Sequence, residues 1–115
     1  MLLKIFGGYT NETWEGNNIA KTDNISFIFS LNYNKAYDIK RNVNAIFCSP
    51  NYGPYFCGIN SPTLLVNDDS NIRGGSCCKA SESNFNGYTD DYEINNGNQN
   101  FRINEIEVFK VSMVS

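Results

Sequence analysis

The stretch Ser-Phe-Ile-Phe-Ser-Leu at residues 26–31 decides the fold. In an extended chain Phe27, Phe29 and Leu31 point to one side, and Ile28 points to the other side with the two serines. Aromatic and β-branched residues at this density favour a half-buried strand over a helix. We predict a central strand that pairs along both edges and has a second layer packed on its Phe face.

Further short apolar runs, separated by turn signals, predict the other strands. They cover residues 2–6, 36–39, 45–48, 63–66 and 103–111. The first is expected to end at Gly7-Gly8, and the second to form a hairpin with the central strand. Residues 49–54 contain two prolines and a glycine, which exclude a helix and a central strand. Because Tyr52, Tyr55 and Phe56 crowd this loop, we predict that it packs as a plug over one end of the sheet. No helical periodicity is visible, and the pattern predicts a mainly β chain, a two-layer antiparallel β-sandwich.

Composition and charge narrow the function classes. The 115 residues predict a single domain over 1–115, and 14% aromatic with only 18% charged residues is not typical of disorder. A net charge of -3 excludes a basic surface for nucleic acid. No apolar run approaches the roughly 18 residues of a membrane span, and no secretion signal precedes Gly7. We expect an intracellular, cytoplasmic protein without direct membrane insertion.

Histidine is absent from the sequence, which removes the commonest general base and every triad that needs imidazole. Two carboxylate pairs remain, Glu105 with Glu107 and Asp68 with Asp69. The first lies on one face of a predicted strand and the second in a polar loop, and surface acids of this kind are usually solvated. The sequence therefore favours a protein without a catalytic site and without a cofactor.

Four cysteines, at positions 48, 57, 77 and 78, raise the question of a metal or redox site. Structural zinc sites favour paired Cys-x-x-Cys knuckles, and this spacing differs from them. We therefore predict no metal site. Cys77 and Cys78 are the candidate redox thiols, because two basic residues lie close to them in sequence, Arg73 before and Lys79 after.

Four aromatic residues are the candidate partner-binding residues: Tyr9, Trp14, Tyr52 and Tyr55. Trp14 is the only tryptophan and lies in a mostly polar segment, residues 9–23, that has the composition of a functional loop. Rings in loops either stack on a sugar, bind a protein partner or anchor the loop to the core. The sequence alone leaves these alternatives open.

Several segments, taken in chain order, resemble the TLDc domain of oxidation-resistance proteins. They are Ile5-Phe6-Gly7-Gly8-Tyr9-Thr10, Trp14, Phe27-Ile28-Phe29-Ser30-Leu31, Gly53-Pro54, Ser76-Cys77 and Glu105-Ile106-Glu107-Val108-Phe109. The resemblance covers residues 4–111. It implies a two-layer antiparallel β-sandwich that helices flank in the full, α+β family domain.

The resemblance also carries expectations about extent and role. Family members have further elements ahead of the Phe-Gly-Gly-Tyr segment, which implies a domain that is partial at its N-terminus, and the Asn-rich composition is similar to that of members from ciliates and other protists. The family is associated with protection against oxidative stress and with binding to the vacuolar-type proton-pumping ATPase. No agreed catalytic site comes with the fold. Here Phe56-Cys57-Gly58 stands where the family often has Phe-Gly-Gly with a histidine nearby.

Three hypotheses follow. The leading one is a non-catalytic protein-interaction module, an accessory or structural subunit of a larger intracellular assembly, either the proton-pumping ATPase or a ciliary or cytoskeletal array. The alternative is a thiol-based antioxidant or redox-sensing protein that uses Cys77 or Cys78. The third is a carbohydrate-binding sandwich that uses Trp14 and nearby tyrosines.

Overall fold

The computed structural model describes residues 5–58, 62–66 and 83–88, together with the backbone of residues 76–78 and 100–101. These ranges contain strands and turns and no helix. In them no helix is long and apolar enough to cross a bilayer. The predicted strand at residues 103–111 lies outside the described residues.

The strands form two antiparallel sheets. In chain order they are β1 (Phe6–Tyr9), β2 (Ile19–Thr22), β3 (Phe27–Ser30), β4 (Lys35–Asp38), β5 (Asn44–Cys48), β6 (Tyr55–Cys57), β7 (Pro62–Leu65), β8 (Ser76–Cys78) and β9 (Asn100–Phe101). One sheet has the order β1-β3-β4 and the other the order β2-β5-β6-β7-β8-β9. One cluster of buried side chains draws on both sheets, with Ile28 and Tyr37 from the first and Ile46 and Leu64 from the second. The predicted two-layer antiparallel β-sandwich is confirmed.

Strand β3 is central to its sheet, as predicted, but the prediction of which face is buried was wrong. Ile28 and Ser30 are fully buried, whereas Phe27 and Phe29 are half-buried and Leu31 is 60% exposed. The Phe face therefore lies outside the sandwich, and the smaller side chains face the second sheet.

Local hydrogen bonds explain how serines come to be buried on the inner face. Ser26 Oγ donates to Asp23 Oδ2 at 2.8 Å, and Ser30 Oγ accepts from the Tyr33 backbone N–H at 3.3 Å. A buried hydroxyl with such a partner avoids most of the desolvation cost. The small inner face leaves room in the buried cluster for two large rings, Phe56 of the second sheet and Phe85 of a later segment, whose centroids lie 6.2 Å apart. Packing volume between the layers outweighs the hydrophobicity of the Phe face.

The prediction that the first strand ends at Gly7-Gly8 was also wrong, because β1 runs through both glycines. Each glycine leaves space for an aromatic ring on one side of the sheet. A Cβ on Gly7 would lie 3.0 Å from Phe29 Cζ on the outer face, and a Cβ on Gly8 would collide with the Phe56 ring on the inner face. The two glycines therefore permit close approach of rings instead of ending the strand.

The predicted plug is in part a strand. Tyr55 and Phe56 belong to β6, which pairs with β5 through Ile46 and Phe56 and with β7 along the other edge. Prolines before β6 do not prevent this pairing, because they precede the strand instead of interrupting it. The hairpin of β3 and β4 is confirmed, as are strands close to residues 45–48 and 63–66.

A short segment, residues 83–88, joins the two sheets. Its backbone bonds to β4 and the residues after it, with Asn86 N donating to Asp38 O at 2.7 Å and Lys40 N donating to Asn84 O at 2.8 Å. Toward the other sheet, Thr63 Oγ1 donates to Ser83 Oγ at 3.0 Å. Phe85 is buried, so this segment closes one side of the core.

Candidate functional site

An open cleft lies between the loop that precedes β2, residues 10–18, and the segment from the end of β5 to Pro54. It has a volume of about 240 Å³. Its lining residues are Trp14, Phe47, Cys48, Ser49, Tyr52, Gly53 and Pro54. We call these residues the aromatic cleft. Most of this surface is apolar, and the largest side chains on it are aromatic.

Three rings form one wall of the aromatic cleft and its support. Phe47 lies 5.3 Å from Tyr55 and 6.4 Å from Tyr52, and the two tyrosines lie 5.6 Å apart, measured between ring centroids. The ring planes cross at 57° for Phe47 and Tyr55, at 59° for Phe47 and Tyr52, and at 64° for the two tyrosines. The two tyrosines meet edge-to-face and the other two pairs are tilted, and an edge-to-face pair adds about 0.5–1.5 kcal/mol beyond its buried area. The wall is therefore held by its own packing.

Trp14 forms the opposite side of the cleft. Its ring meets Phe56 edge-on, with centroids 5.5 Å apart and planes at 81°. Phe56 is buried, whereas Trp14 is 39% exposed and Tyr52 across the cleft is 41% exposed. One edge of the indole is thus fixed on the core while part of the ring faces solvent.

The backbone next to Trp14 is held by two side chains. Lys21 Nζ donates to the carbonyl oxygen of Thr13 at 2.7 Å and to its hydroxyl at 3.0 Å, and Cys48 Sγ donates to the same carbonyl at 3.6 Å. The turn that follows has positive φ at Gly16, 147°, and at Asn18, 58°. Glycine and asparagine adopt such values more readily than other residues do. The Gly-Asn-Asn turn therefore sets where the loop returns to β2.

Asp23 fixes the start of the same loop. Its carboxylate accepts hydrogen bonds from Thr10 Oγ1 at 2.7 Å, Asn11 N at 2.6 Å, Ser26 Oγ at 2.8 Å and Ile25 N at 3.1 Å. Partial burial raises the pKa of the Asp23 carboxyl, but these hydrogen bonds outweigh it and leave the pKa below its ordinary value. One carboxylate thus ties the end of β1 to the start of β3.

Two exposed carboxylates lie beside Trp14 in the sequence. Glu12 and Glu15 flank it in sequence and both are exposed. The ammonium group of Lys21 is directed to Thr13, as described above. The loop therefore presents carboxylates to solvent beside an exposed indole ring.

Comparison with known protein families identifies the family of this chain. A family model described as the TLDc domain matches residues 2–112. The chain belongs to the TLDc family. No curated protein and no solved structure matches it significantly. The resemblance inferred from the sequence motifs is therefore confirmed, and it connects the chain to the oxidation-resistance proteins in a broad sense.

In this TLDc chain, three of the four candidate partner-binding residues lie together. Trp14 and Tyr52 line the aromatic cleft, and Tyr55 packs behind Tyr52. Tyr9 does not join them, since it lies on the outer face of the three-stranded sheet and stacks on Phe27 at 5.4 Å. Whether any of the four binds a partner stays a prediction.

The motifs of the TLDc resemblance did not indicate that Phe47 and Pro54 also belong to the cleft. The alternation in Ala45-Ile46-Phe47-Cys48 contains a usable signal, since Phe47 is placed opposite Ile46 and next to the loop. Pro54 carries no such signal, because its position depends on how β6 follows it.

The thiols of this TLDc chain fall into two groups. Cys48 and Cys57 are free and buried. Burial raises the pKa of the Cys57 thiol to about 12, with a further contribution from the nearby Cys48. The side chains of Cys77 and Cys78 lie outside the described residues, so their redox role stays a prediction. Among the described residues, no cluster of Cys, Asp and Glu could hold a metal ion.

Proposed function

We propose that this chain is a non-catalytic protein-interaction module that binds its partner through the aromatic cleft. The observation that carries the proposal is the meeting of Trp14 and Tyr52 across one solvent-open cleft, both half-exposed and both held in place from behind. Exposed Trp and Tyr rings supply large apolar area and a hydrogen-bond donor at low entropic cost, which is why they dominate many interfaces.

The arrangement also supports binding over catalysis. Two charged side chains near the loop are already used to hold it, as Asp23 holds Thr10 and as Lys21 holds Thr13. A general acid or base must reach a substrate from a solvent-facing position. Among the described residues, the lining of the cleft is mostly aromatic and includes no acidic or basic side chain.

The setting of this module is part of the proposal. Membership in the TLDc family supports an accessory or structural subunit of a larger assembly, and the family resemblance favours the vacuolar-type proton-pumping ATPase. A ciliary or cytoskeletal array is the other setting we propose. Either one corresponds to a cytoplasmic protein.

The test is affinity purification from the native source after cross-linking, with Trp14→Ala beside the wild-type chain. We expect a partner in stoichiometric amount with the wild type and its loss, by about tenfold or more, with Trp14→Ala. Tyr33→Ala is the matched control, because Tyr33 is 43% exposed and lies in the β3–β4 turn away from the cleft. Equal retention by Trp14→Ala and the wild type would contradict the proposal.

A second candidate function is the thiol-based antioxidant or redox sensor. Family membership supports it, and because Cys48 and Cys57 are buried, Cys77 and Cys78 are the thiols we propose for the reactive role. This candidate needs a thiol with a lowered pKa and access to oxidant. The labelling experiment in the Discussion separates it from the interaction module.

A further inference from the structure

We propose that the aromatic cleft binds a proline-rich segment of a partner protein in which a basic residue accompanies the prolines. This inference rests on the proposed function and names the chemistry of the partner. Three features carry it: the aromatic rings that line the cleft, its hydrogen-bonding groups and the charge beside Trp14.

The placement of the rings favours an extended ligand. Trp14, Phe47 and Tyr52 line one solvent-open cleft, so a ligand lies between rings and not on a single flat platform. A sugar stacks on a flat ring face, whereas a polyproline II segment presents one edge of its three-residue turn and inserts proline rings between aromatic side chains. The cleft has the shape for the second ligand.

The hydrogen-bonding groups point the same way. Ser49 Oγ accepts from the Asn51 backbone N–H at 3.2 Å, and the Cys48 thiol is directed to Thr13. Trp14 and Tyr52 carry an indole N–H and a hydroxyl on half-exposed rings, and both groups donate. Proline has a carbonyl acceptor and no N–H, so a proline-rich segment brings acceptors and few donors that need a partner. Its preformed conformation also lowers the entropic cost of binding.

The negative charge beside Trp14 favours a ligand that carries a basic residue. Glu12 and Glu15 flank Trp14 and are exposed, and the whole chain has a net charge of -3. An arginine or lysine next to the prolines would meet these carboxylates, and its cation would be attracted to the face of the indole ring. An acidic segment would be repelled, which gives the cleft a charge preference.

Trp14 makes the test direct because it is the only tryptophan in the chain. The full chain is titrated at low salt with an amidated synthetic peptide in which prolines alternate with alanines and two arginines stand at one end. We expect a saturable change in tryptophan fluorescence. A matched peptide with every proline replaced by alanine, and another with the arginines replaced by glutamates, should each bind about tenfold more weakly or worse.

Variants of the chain test whether the peptide binds in the aromatic cleft. Tyr52→Ala should weaken binding of the arginine peptide about tenfold, and Glu12→Gln combined with Glu15→Gln should weaken it several-fold and reduce its salt dependence. Tyr33→Ala should leave the affinity unchanged. Circular dichroism of each variant before titration verifies that it is folded.

The inference is overturned if the alanine peptide binds as well as the proline peptide, or the glutamate peptide as well as the arginine peptide. Its failure is distinct from failure of the proposed function. If no peptide binds while Trp14→Ala still loses its co-purified partner, this inference is wrong and the proposed function stands. If the peptides bind as expected and Trp14→Ala keeps its partner, the cleft binds the peptide but not the co-purified partner, so the proposed function and the inference that rests on it are both wrong.

Discussion

The interior of the sandwich and the aromatic cleft are both apolar, but they differ in how much of their side chains is exposed to solvent. The interior contains Ile28 and Ala45 beside buried serines, while the cleft exposes Trp14 and Tyr52. Phe56 connects the two regions, because it is buried and supports the Trp14 ring, and the buried Cys48 lines the cleft as well. Some of the chain's largest apolar side chains are thus kept partly in solvent, which stabilises the fold little and leaves area for a partner.

Reactivity of the thiols should show the largest contrast between interior and surface. A pKa of about 12 for Cys57, against an ordinary 9.0, lowers its thiolate fraction at neutral pH about a thousandfold. We expect Cys57 to be labelled by a thiol reagent about a thousandfold more slowly in the folded chain than in the same chain unfolded in urea, as measured by peptide mass spectrometry.

The same labelling series tests the second candidate function. If Cys77 or Cys78 reacts faster than a model peptide thiol, the redox hypothesis gains support. Rates no faster than the model thiol remove it. Folded and unfolded chains that label at the same rate at Cys57 would show that the interior is open to solvent.

Shortening side chains on the two faces of residues 26–31 should give the next largest contrast, in this case in the free energy of unfolding. Ile28→Ala opens a cavity among fully buried side chains, and we expect the free energy of unfolding to fall by about 2–5 kcal/mol. Leu31→Ala, at the exposed end of the Phe face, should cost less than about 1 kcal/mol. Urea denaturation followed by circular dichroism measures both. Equal losses would mean that the outer face is as well packed as the interior.

The two glycines of β1 provide a matched pair with the same chemistry. Gly8→Ala places a methyl group against Phe56, which is buried and cannot move away, and we expect a loss of about 1–3 kcal/mol in unfolding free energy. Gly7→Ala meets only the far end of the half-buried Phe29 ring at 3.0 Å, so it should be nearly neutral. Thermal melts of the two variants measure the two losses of stability. A larger loss for Gly7→Ala would reverse the assignment of inner and outer faces.

Acidic pH should lower the stability of the chain by protonating Asp23, which holds the loop at residues 10–18. Because its pKa is lowered in the folded state, the ionised carboxylate contributes stability above the ordinary value of 3.8, and this contribution is lost as pH falls through the folded-state pKa. Asp23→Asn should remove it at neutral pH, a loss of about 1 kcal/mol after allowance for the group's partial exposure.

Unfolding at pH 7 and at pH 3 checks the Asp23 prediction, with Asp38→Asn as the control for removal of an exposed aspartate. The difference between wild type and Asp23→Asn should shrink at the lower pH. A constant difference at both pH values would show that the carboxylate charge has no part in holding the loop.

Part of this structure could be predicted from the sequence. Alternating aromatic and β-branched residues marked the central strand at 26–31 and its hairpin, since both depend on local pattern. The buried face of β3 could not be predicted, because the Phe face is the more hydrophobic, and the serine face packs with rings that come from distant parts of the chain, Phe56 and Phe85.

The candidate site shows the same limit. The unusual composition around Trp14 and the aromatic residues near Pro54 marked two loops as candidates. Their meeting depends on the pairing of β2 with β5 and of β5 with β6, which is non-local. Strand β2, with the sequence Ile-Ala-Lys-Thr, carries too little apolar pattern to be predicted.

The most direct test of this account is the unfolding free energy of Trp14→Ala beside that of Phe56→Ala, measured in urea by circular dichroism. The two rings touch, but only Phe56 belongs to the interior. We predict a folded Trp14→Ala chain that loses about 1–2 kcal/mol, against about 3–5 kcal/mol for Phe56→Ala. If Trp14→Ala costs as much as Phe56→Ala or unfolds the chain, Trp14 is a core residue, and the aromatic cleft is not the binding surface proposed here.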